Sequence, residues 1–362
     1  MNKKEITVIA LTGGPCAGKS TALSKIEHLL TSLNYNVLII PESSTELLSN
    51  GITIKKLGNF EFQKLLLKHQ LQKEEIYLTA ANLLKGKTVI ICDRGTIDSK
   101  AYVGSKSFNK ILKNLKLNES QLMNRYDAVI HLKTAADGAE EFYSNENNPA
   151  RYETAEQARL IDNEILNVWT GHSKLKIISN DGGFSKKIDD VLNNICLILG
   201  IPKPLEIERK FLIEMPNLIQ LETKYNAKHY KINQDYLQTK RNIERRVRKI
   251  SKPDGKIYYY TEKKKINNIS RFETERKITE SEYNTFLQFK DKKLRTITKE
   301  RYYFVYNNQY FELDVYPEFK DKAILELELS YENQKISFPN FIKVIEEVTN
   351  NQNYKNYNLA KK

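Results

Sequence analysis

The segment GGPCAGKS, residues 13–20, decides how the first half of the chain is read. Gly13, Gly18, Lys19 and Ser20 fit the spacing G-x-x-x-x-G-K-[ST]. Before it, Ile6, Val8, Ile9, Ala10 and Leu11 form an apolar run that predicts a buried parallel strand. After it, Leu23, Ile26, Leu29 and Leu30 recur at helical spacing. A strand, a glycine-rich turn and a helix N-terminus make a phosphate cradle. The turn's free N–H groups face the anion and the helix dipole favours negative charge there. The candidate nucleotide contacts are Gly13, Gly14, Pro15, Cys16, Ala17, Gly18, Lys19, Ser20 and Thr21. Lys19 is expected on the β- and γ-phosphates of ATP or GTP, and the Ser20 hydroxyl on Mg²⁺.

Working outward, Val37 to Ile40 read as a second strand with Glu42 just past its end. Carboxyl ends of parallel strands are where such sheets keep their sites. Glu42 is therefore a candidate base or magnesium partner. Thr88 to Cys92 read as a third strand ending in Asp93 and Arg94. An acid at that position is the usual second magnesium contact, and an adjacent arginine can position a phosphate. Phe60 to Leu84 read as a helix, with Leu65, Leu66, Leu67, Leu71, Ile76 and Leu78 expected in the core. Strands are also expected at 128–132 and 175–178, and a last helix at 186–199. Arg151 and Arg159 fall on a segment that can close over a transferred phosphoryl group. The alternation of strand and helix gives an α/β P-loop domain with a mostly parallel sheet.

Charge and composition narrow the class. The net charge is +13, and residues 1–200 hold only +3 of it. Residues 201–362 carry 33 Lys and Arg against 23 Asp and Glu, which suits a polyanionic partner such as a phosphate chain. Three scattered cysteines give no disulfide framework or zinc spacing, and five histidines show no ligand spacing. The apolar run near the N-terminus belongs to the phosphate-loop strand, and no stretch is long enough to span a bilayer. A cytoplasmic protein is expected. Nucleic-acid binding is not, because no recognition signature accompanies the basic charge.

Gly200-Ile201-Pro202-Lys203-Pro204 punctuates the chain. Two domains are expected, 1–200 and 204–362. Beyond the seam the periodicity falls to two and charges pair at i and i+2, on one strand face. Examples are Glu206, Glu208 and Lys210; Arg246 and Arg248; Lys299 and Arg301; Glu312 and Asp314; Glu326 and Glu328. A sheet closed into an antiparallel barrel would gather these groups inside. Such an interior is tolerable only where cations and anions meet ligands or each other.

Two resemblances rest on these residues. Over roughly residues 5–200, the GGPCAGKS loop, Glu42, the Cys92-Asp93-Arg94 turn and the PARYE…W…H segment resemble the AAA-type ATPase/kinase family that includes nicotinamide riboside kinase domains. That resemblance implies nucleoside triphosphate and Mg²⁺ binding, with Glu42, Asp93, Arg94 and Arg151 as catalytic candidates and Ser20 and Asp93 as metal contacts. Over roughly residues 204–361, Glu206-Ile207-Glu208-Arg209-Lys210 and the RVR, TEK, KxR, ELD and LELE segments resemble the CYTH superfamily of triphosphate tunnel metalloenzymes. This implies an antiparallel tunnel barrel. Phosphate contacts are implied for Lys210, Arg246, Arg248, Lys263, Lys299 and Arg301. Contacts to Mg²⁺ or Mn²⁺ are implied for Glu206, Glu208, Glu312, Asp314, Glu326 and Glu328, the last two also as catalytic groups.

Three functions are open at this point. The first makes the tunnel a metal-dependent hydrolase of triphosphate or polyphosphate beside a nucleotide-binding domain. The second makes it a polyanion-binding module without turnover, since the pairing of domains resembles a family linked with guanine nucleotides and phosphoinositides. Lastly, the first domain can be a small-molecule kinase acting on a nucleoside or riboside hydroxyl.

Overall fold

The computed structural model describes residues 6–140, 154–201, 207–239, 243–265, 271–329 and 334–361. The chain divides into two compact units, Met1–Lys203 and Pro204–Lys362.

In the first unit the elements run β1 (Ile6–Gly13), α1 (Lys19–Ser32), β2 (Asn36–Ile40), α2 (Ser43–Ser49), α3 (Ile54–Leu83), β3 (Thr88–Asp93), α4 (Asp98–Leu115), α5 (Glu119–Met123), β4 (Ala128–Leu132), α6 (Ala155–Trp169), β5 (Leu175–Ile178) and α7 (Gly183–Ile198). The five strands form a parallel sheet in the order β2-β3-β1-β4-β5. Its central strands are apolar without alternation because both faces are covered. Ile9, Leu11, Val89, Ile91 and Ile130 pack against Leu23, Ile26 and Leu30 of α1 and Ile188, Val191 and Ile195 of α7. On the other face Trp169 is fully buried, and its ring comes so near Gly95 that a Cβ there would lie 2.3 Å from it.

Helix α3 departs from the expected core. Leu65 and Ile76 are 40% and 66% exposed, while Phe62, Gln63, Leu67, Gln70, Glu74 and Ala81 are buried. Of the other expected core residues Leu67 is buried and Leu66, Leu71 and Leu78 are half-buried; what counting leucines passed over is that three of the six buried residues are polar. The helix also starts earlier than expected, with a non-helical break at Gly58.

The second unit continues with β6 (Ile207–Glu214), α8 (Leu218–Lys224), β7 (Lys228–Tyr236), β8 (Ile243–Lys252), β9 (Gly255–Lys265), β10 (Arg271–Ile278), α9 (Glu280–Leu287), β11 (Ile297–Tyr306), β12 (Gln309–Val315), β13 (Lys322–Leu329), β14 (Val344–Glu347) and α10 (Asn356–Leu359). Among the described residues these strands form one antiparallel sheet in the order β10-β9-β8-β7-β11-β12-β13-β6-β14. One face of β11, β12, β13 and β6 buries Phe211, Ile213, Phe304, Phe311, Leu313, Leu325 and Leu327 in an apolar core. The opposite face carries the charges. It is concave: Lys263 on β9 lies within electrostatic reach of Glu208 on β6, although five strands stand between them in the sheet order. Tyr303 on β11 likewise feels Arg248 on β8 and Glu275 on β10.

Candidate functional site

The loop after β1 is built by its neighbours. Gly18 takes a left-handed conformation, φ 85°, and caps α1 without any side-chain hydrogen bond. Glycine tolerates that backbone cheaply. The first-turn N–H groups of α1 are thus left for an anion. Thr134, just after β4, donates its hydroxyl to Pro15 O at 2.5 Å, and Ala135 N donates to Cys16 O. Asp162 of α6 accepts the Gly14 N–H at 2.7 Å. The approach is so close that a Cβ on Gly14 would stand 2.7 Å from the Asp162 Cβ. Asp162 is fully buried and lies 2.7 Å from Lys133 Nζ and 3.1 Å from His131 Nε2. Burial alone would raise its pKa, but His131 and Lys133 hold it well below the usual carboxylate range. Neither Asp162 nor Lys133 stood out in the sequence, since no motif links either to the loop.

A second set gathers at the carboxyl ends of β2 and β3. Arg94 adopts φ 75° and donates to Glu42 Oε1 at 2.5 Å and to Gly13 O at 3.1 Å. Its Nη1 lies 3.5 Å from Asp98 Oδ2. Asp98 itself accepts from Thr12 Oγ1 at 2.6 Å and from the Trp169 indole N–H at 2.5 Å. It therefore sets Arg94 from behind, a role the sequence did not advertise. Burial pushes against ionisation of Glu42, yet Arg94 and Lys19 hold its carboxyl far below the ordinary range. Lys19 is pushed down by burial and by Arg94, with Asp93, Glu42 and Asp98 opposing. These five side chains form one electrostatic cluster. Asp93 Oδ1 is buried with no hydrogen-bond partner, and burial raises the Asp93 pKa. An orphaned carboxylate oxygen at this place fits a hard cation, which oxygen donors suit.

The remaining first-unit candidates are placed as follows. Ser20 is exposed at the start of α1. Arg159 donates to Ala136 O at 2.7 Å and so ties α6 to the loop after β4. Arg151 lies outside the described residues.

In the second unit, strand register creates the ion pairs. Arg301 stands opposite Asp314, and Glu326 opposite both Glu312 and Lys210. Arg301 Nε donates to Asp314 Oδ1 at 2.6 Å and its Nη2 to Glu326 Oε2 at 2.9 Å, while Nη1 pairs with Glu312. Lys299 pairs with the same Asp314, which is 0% exposed. Lys210 Nζ donates to Glu326 Oε1 at 2.6 Å and lies 3.2 Å from Glu208. Burial alone would raise Glu326, but Lys210, Lys299 and Arg301 drive its pKa well down. Burial and Arg301 push Lys299 down to about 8. Arg248 donates to Glu275 at 2.9 Å, and its Nε is buried without a partner. Arg246 lies within reach of Tyr236. Glu328 is exposed near the end of β13, and Lys263 is partly buried on β9. Glu206 lies outside the described residues.

Of the carboxylates expected to hold a metal, Glu208, Glu312, Asp314 and Glu326 lie against Lys or Arg side chains. Among the described residues no group of three or more His, Cys, Asp or Glu side chains is gathered to hold a metal ion. In this arrangement Glu312, Asp314 and Glu326 do not fit a resident metal centre. Among the described residues no helix is long and apolar enough to cross a membrane.

Residues 8–187 match the family model of the AAA domain. No curated protein matches the chain. Among solved structures, the chain is similar to the inorganic triphosphatase NE1496, with 28% identity and a TM-score of 0.32 over 44% of this chain and 97% of that one. It is also similar to the PH1012 protein of Pyrococcus horikoshii OT3, with 21% identity and a TM-score of 0.26 over 34% and 80% of the two chains. For the PH1819 protein of the same organism the values are 19% and 0.28, over 35% and 80%.

Proposed function

We propose that the second unit binds and hydrolyses a triphosphate or short polyphosphate, and that the first unit binds a nucleoside triphosphate. The observation that carries the first half is the convergence of Lys210, Arg248, Lys299 and Arg301 on one concave face. Lys210, Lys299 and Arg301 all act on Glu326, Arg301 and Arg248 both act on Tyr303, and Glu208, Glu275, Glu312, Asp314 and Glu326 neutralise the set. A phosphate chain, presented as its divalent-metal complex, exchanges with those carboxylates and keeps the charge balanced. Water attacks the terminal phosphorus, a bridging P–O bond breaks, and the shortened chain leaves with the bridging oxygen. The test is phosphate release from tripolyphosphate with Mg²⁺ or Mn²⁺. Release by the full chain that disappears in Lys210→Ala with Arg248→Ala supports the reading, and unchanged release in that double variant refutes it.

A second reading concerns the first unit alone. Glu42 pairs with Arg94 at the carboxyl edge of the sheet, within electrostatic reach of Lys19, where a carboxylate can orient an acceptor hydroxyl. Lys19 and the α1 N-terminus bind the β- and γ-phosphates, and Ser20 and Asp93 would hold Mg²⁺. When bound, the ion neutralises charge on the phosphates. Glu42 takes the acceptor's proton as its oxygen bonds to the γ-phosphorus and the bond to the β-phosphate breaks, leaving the diphosphate. Adenosine diphosphate formed only when both ATP and an acceptor are present supports this reading, and none with any hydroxylated acceptor counts against it.

A further inference from the structure

The second unit has a cavity on the face of its sheet opposite the concave one. Tyr236 feels Arg246 and Lys210, and Arg248 meets Glu275, so Tyr236, Arg246 and Arg248 belong to the concave face. Asn233, Lys249 and Tyr258 stand opposite one another across β7, β8 and β9, one residue out of step with Gln234, Arg248 and Tyr259. They therefore point to the other face. There α9 packs on the strands, with Tyr283 and Leu287 against Tyr258. Helix and strands together line a cavity of about 420 Å³, within the range of small-molecule sites. Its base is Tyr258, Tyr283 and Leu287, with the two tyrosine rings 4.9 Å apart. Its acids already have donors. Asp235, 4% exposed, accepts from Thr296 Oγ1 at 2.6 Å and lies 2.7 Å from Lys290 Nζ. Glu280 accepts from the Tyr258 hydroxyl at 2.5 Å. Two of its cations have no such answer: among the described residues neither Lys249 nor Lys256 has an ion-pair partner. Lys249 faces Tyr258, two residues on from Lys256, so the two lysines are diagonal neighbours on one strand face.

We propose that this cavity binds a small organic phosphate monoester, its phosphate held by Lys249 and Lys256 and its body laid on Tyr258, Tyr283 and Leu287. The site is independent of both the triphosphatase and the kinase readings. Two neighbouring amines suit one dianionic group, and a phosphate monoester carries a charge of about −1.5 to −2 at pH 7 with three acceptor oxygens. Asn233 and Asn284 in the wall offer neutral donors and acceptors to polar groups of the body. A bare polyphosphate has no apolar part for the tyrosine base, and Asp235 and Glu280 would repel its further charges. A divalent cation does not fit, because both carboxylates already accept hydrogen bonds and two lysines oppose it.

The test is a lysine footprint on the full chain, which reads this face apart from the concave face and the phosphate loop. Acetylation by a limiting reagent is mapped by peptide mass spectrometry with phenyl phosphate, inorganic phosphate or benzyl alcohol present. Phenyl phosphate is expected to protect Lys249 and Lys256 together, at lower concentration than inorganic phosphate does, and benzyl alcohol to protect neither. In calorimetric titration, Lys249→Ala with Lys256→Ala should weaken phenyl phosphate binding roughly tenfold, about 1.4 kcal/mol, and leave the affinity for magnesium tripolyphosphate unchanged. Lys231→Ala is the charge control: Lys231 is exposed, two residues before Asn233 on the same strand face and outside the cavity lining, and its loss should change nothing. An equal weakening in Lys231→Ala would assign the effect to general surface charge and overturn the site. Lys249 and Lys256 left unprotected by phenyl phosphate, or protected equally well by inorganic phosphate, would overturn it too.

Discussion

Asp162 accepts the backbone N–H of Gly14 at 2.7 Å, although 148 residues separate the two. The contact makes the phosphate loop a joint product of α6 and β1. A carboxylate this deeply buried is stable because Lys133 and His131 lie against it.

Removing it should therefore do more than loosen a loop. Asp162→Ala leaves Lys133 buried with less compensation and is expected to cost about 3–5 kcal/mol. Gly14→Ala forces a methyl against Asp162 and should cost about 1–3 kcal/mol. Chemical unfolding of both variants, paired with MgATP titration, reads the two effects together. An Asp162→Ala protein with unchanged stability and nucleotide affinity would show that the loop stands without α6.

The interior of the second unit gives a parallel case. Arg301→Ala strands Asp314, which has no access to water, beside Lys299 alone. A loss of about 3–5 kcal/mol is expected, as for one partner removed from a buried pair. Arg301→Met combined with Asp314→Leu and Lys299→Met should recover part of that loss, because an apolar trio replaces the ionic one and strands no buried charge of it. Recovery of stability without recovery of phosphate release would separate binding chemistry from folding.

Stability should also respond to alkaline pH. Burial pushes Lys187 down to about 8, where it donates to Lys133 O and Asn180 Oδ1. Below pH 8 the lysine is protonated both folded and unfolded. Between about 8 and the ordinary lysine range near 10.4 the unfolded chain binds the proton that the folded one has lost. Stability linked to this group therefore rises with pH across that window. Lys187→Met should flatten the rise in a series of urea unfolding curves from pH 7.5 to 9.5. An identical slope in wild type and variant would assign the effect elsewhere.

Glu42 is predicted by its position and charge to act in transfer and not in nucleotide capture. Glu42→Gln should lower acceptor-dependent turnover by 10²–10⁴-fold, the usual range for a general base, while MgATP affinity stays within a few-fold. A matching loss of affinity would mean that Glu42 serves the metal and the phosphates instead.

How much of this was legible in the chain depended on distance. Gly13 to Ser20 were readable because strand, turn and helix cap lie within one short stretch. Asp162 and Asp98 were not, since their partners come from other elements and no local pattern marks them. Leu65 and Ile76 misled because α3 turns Gln63, Gln70 and Glu74 inward, and hydrophobic periodicity is blind to a polar inner face. In the second half, period-two alternation placed Lys299, Arg301, Glu312, Asp314 and Glu326 on one face. It did not give the strand order and register that set Arg301 against Asp314 and Lys210 against Glu326. Those pairings set Glu312, Asp314 and Glu326 against Lys and Arg side chains.

The most direct measurement is calorimetric titration of tripolyphosphate, with Mg²⁺, into the full chain carrying Lys19→Ala, which silences the first unit's phosphate loop. One binding site is expected in that background. Adding Lys210→Ala and Arg248→Ala should weaken it at least tenfold, equivalent to about 1.4 kcal/mol. Undiminished affinity in the triple variant, or no binding in Lys19→Ala alone, would contradict a phosphate-gripping concave face in the second unit.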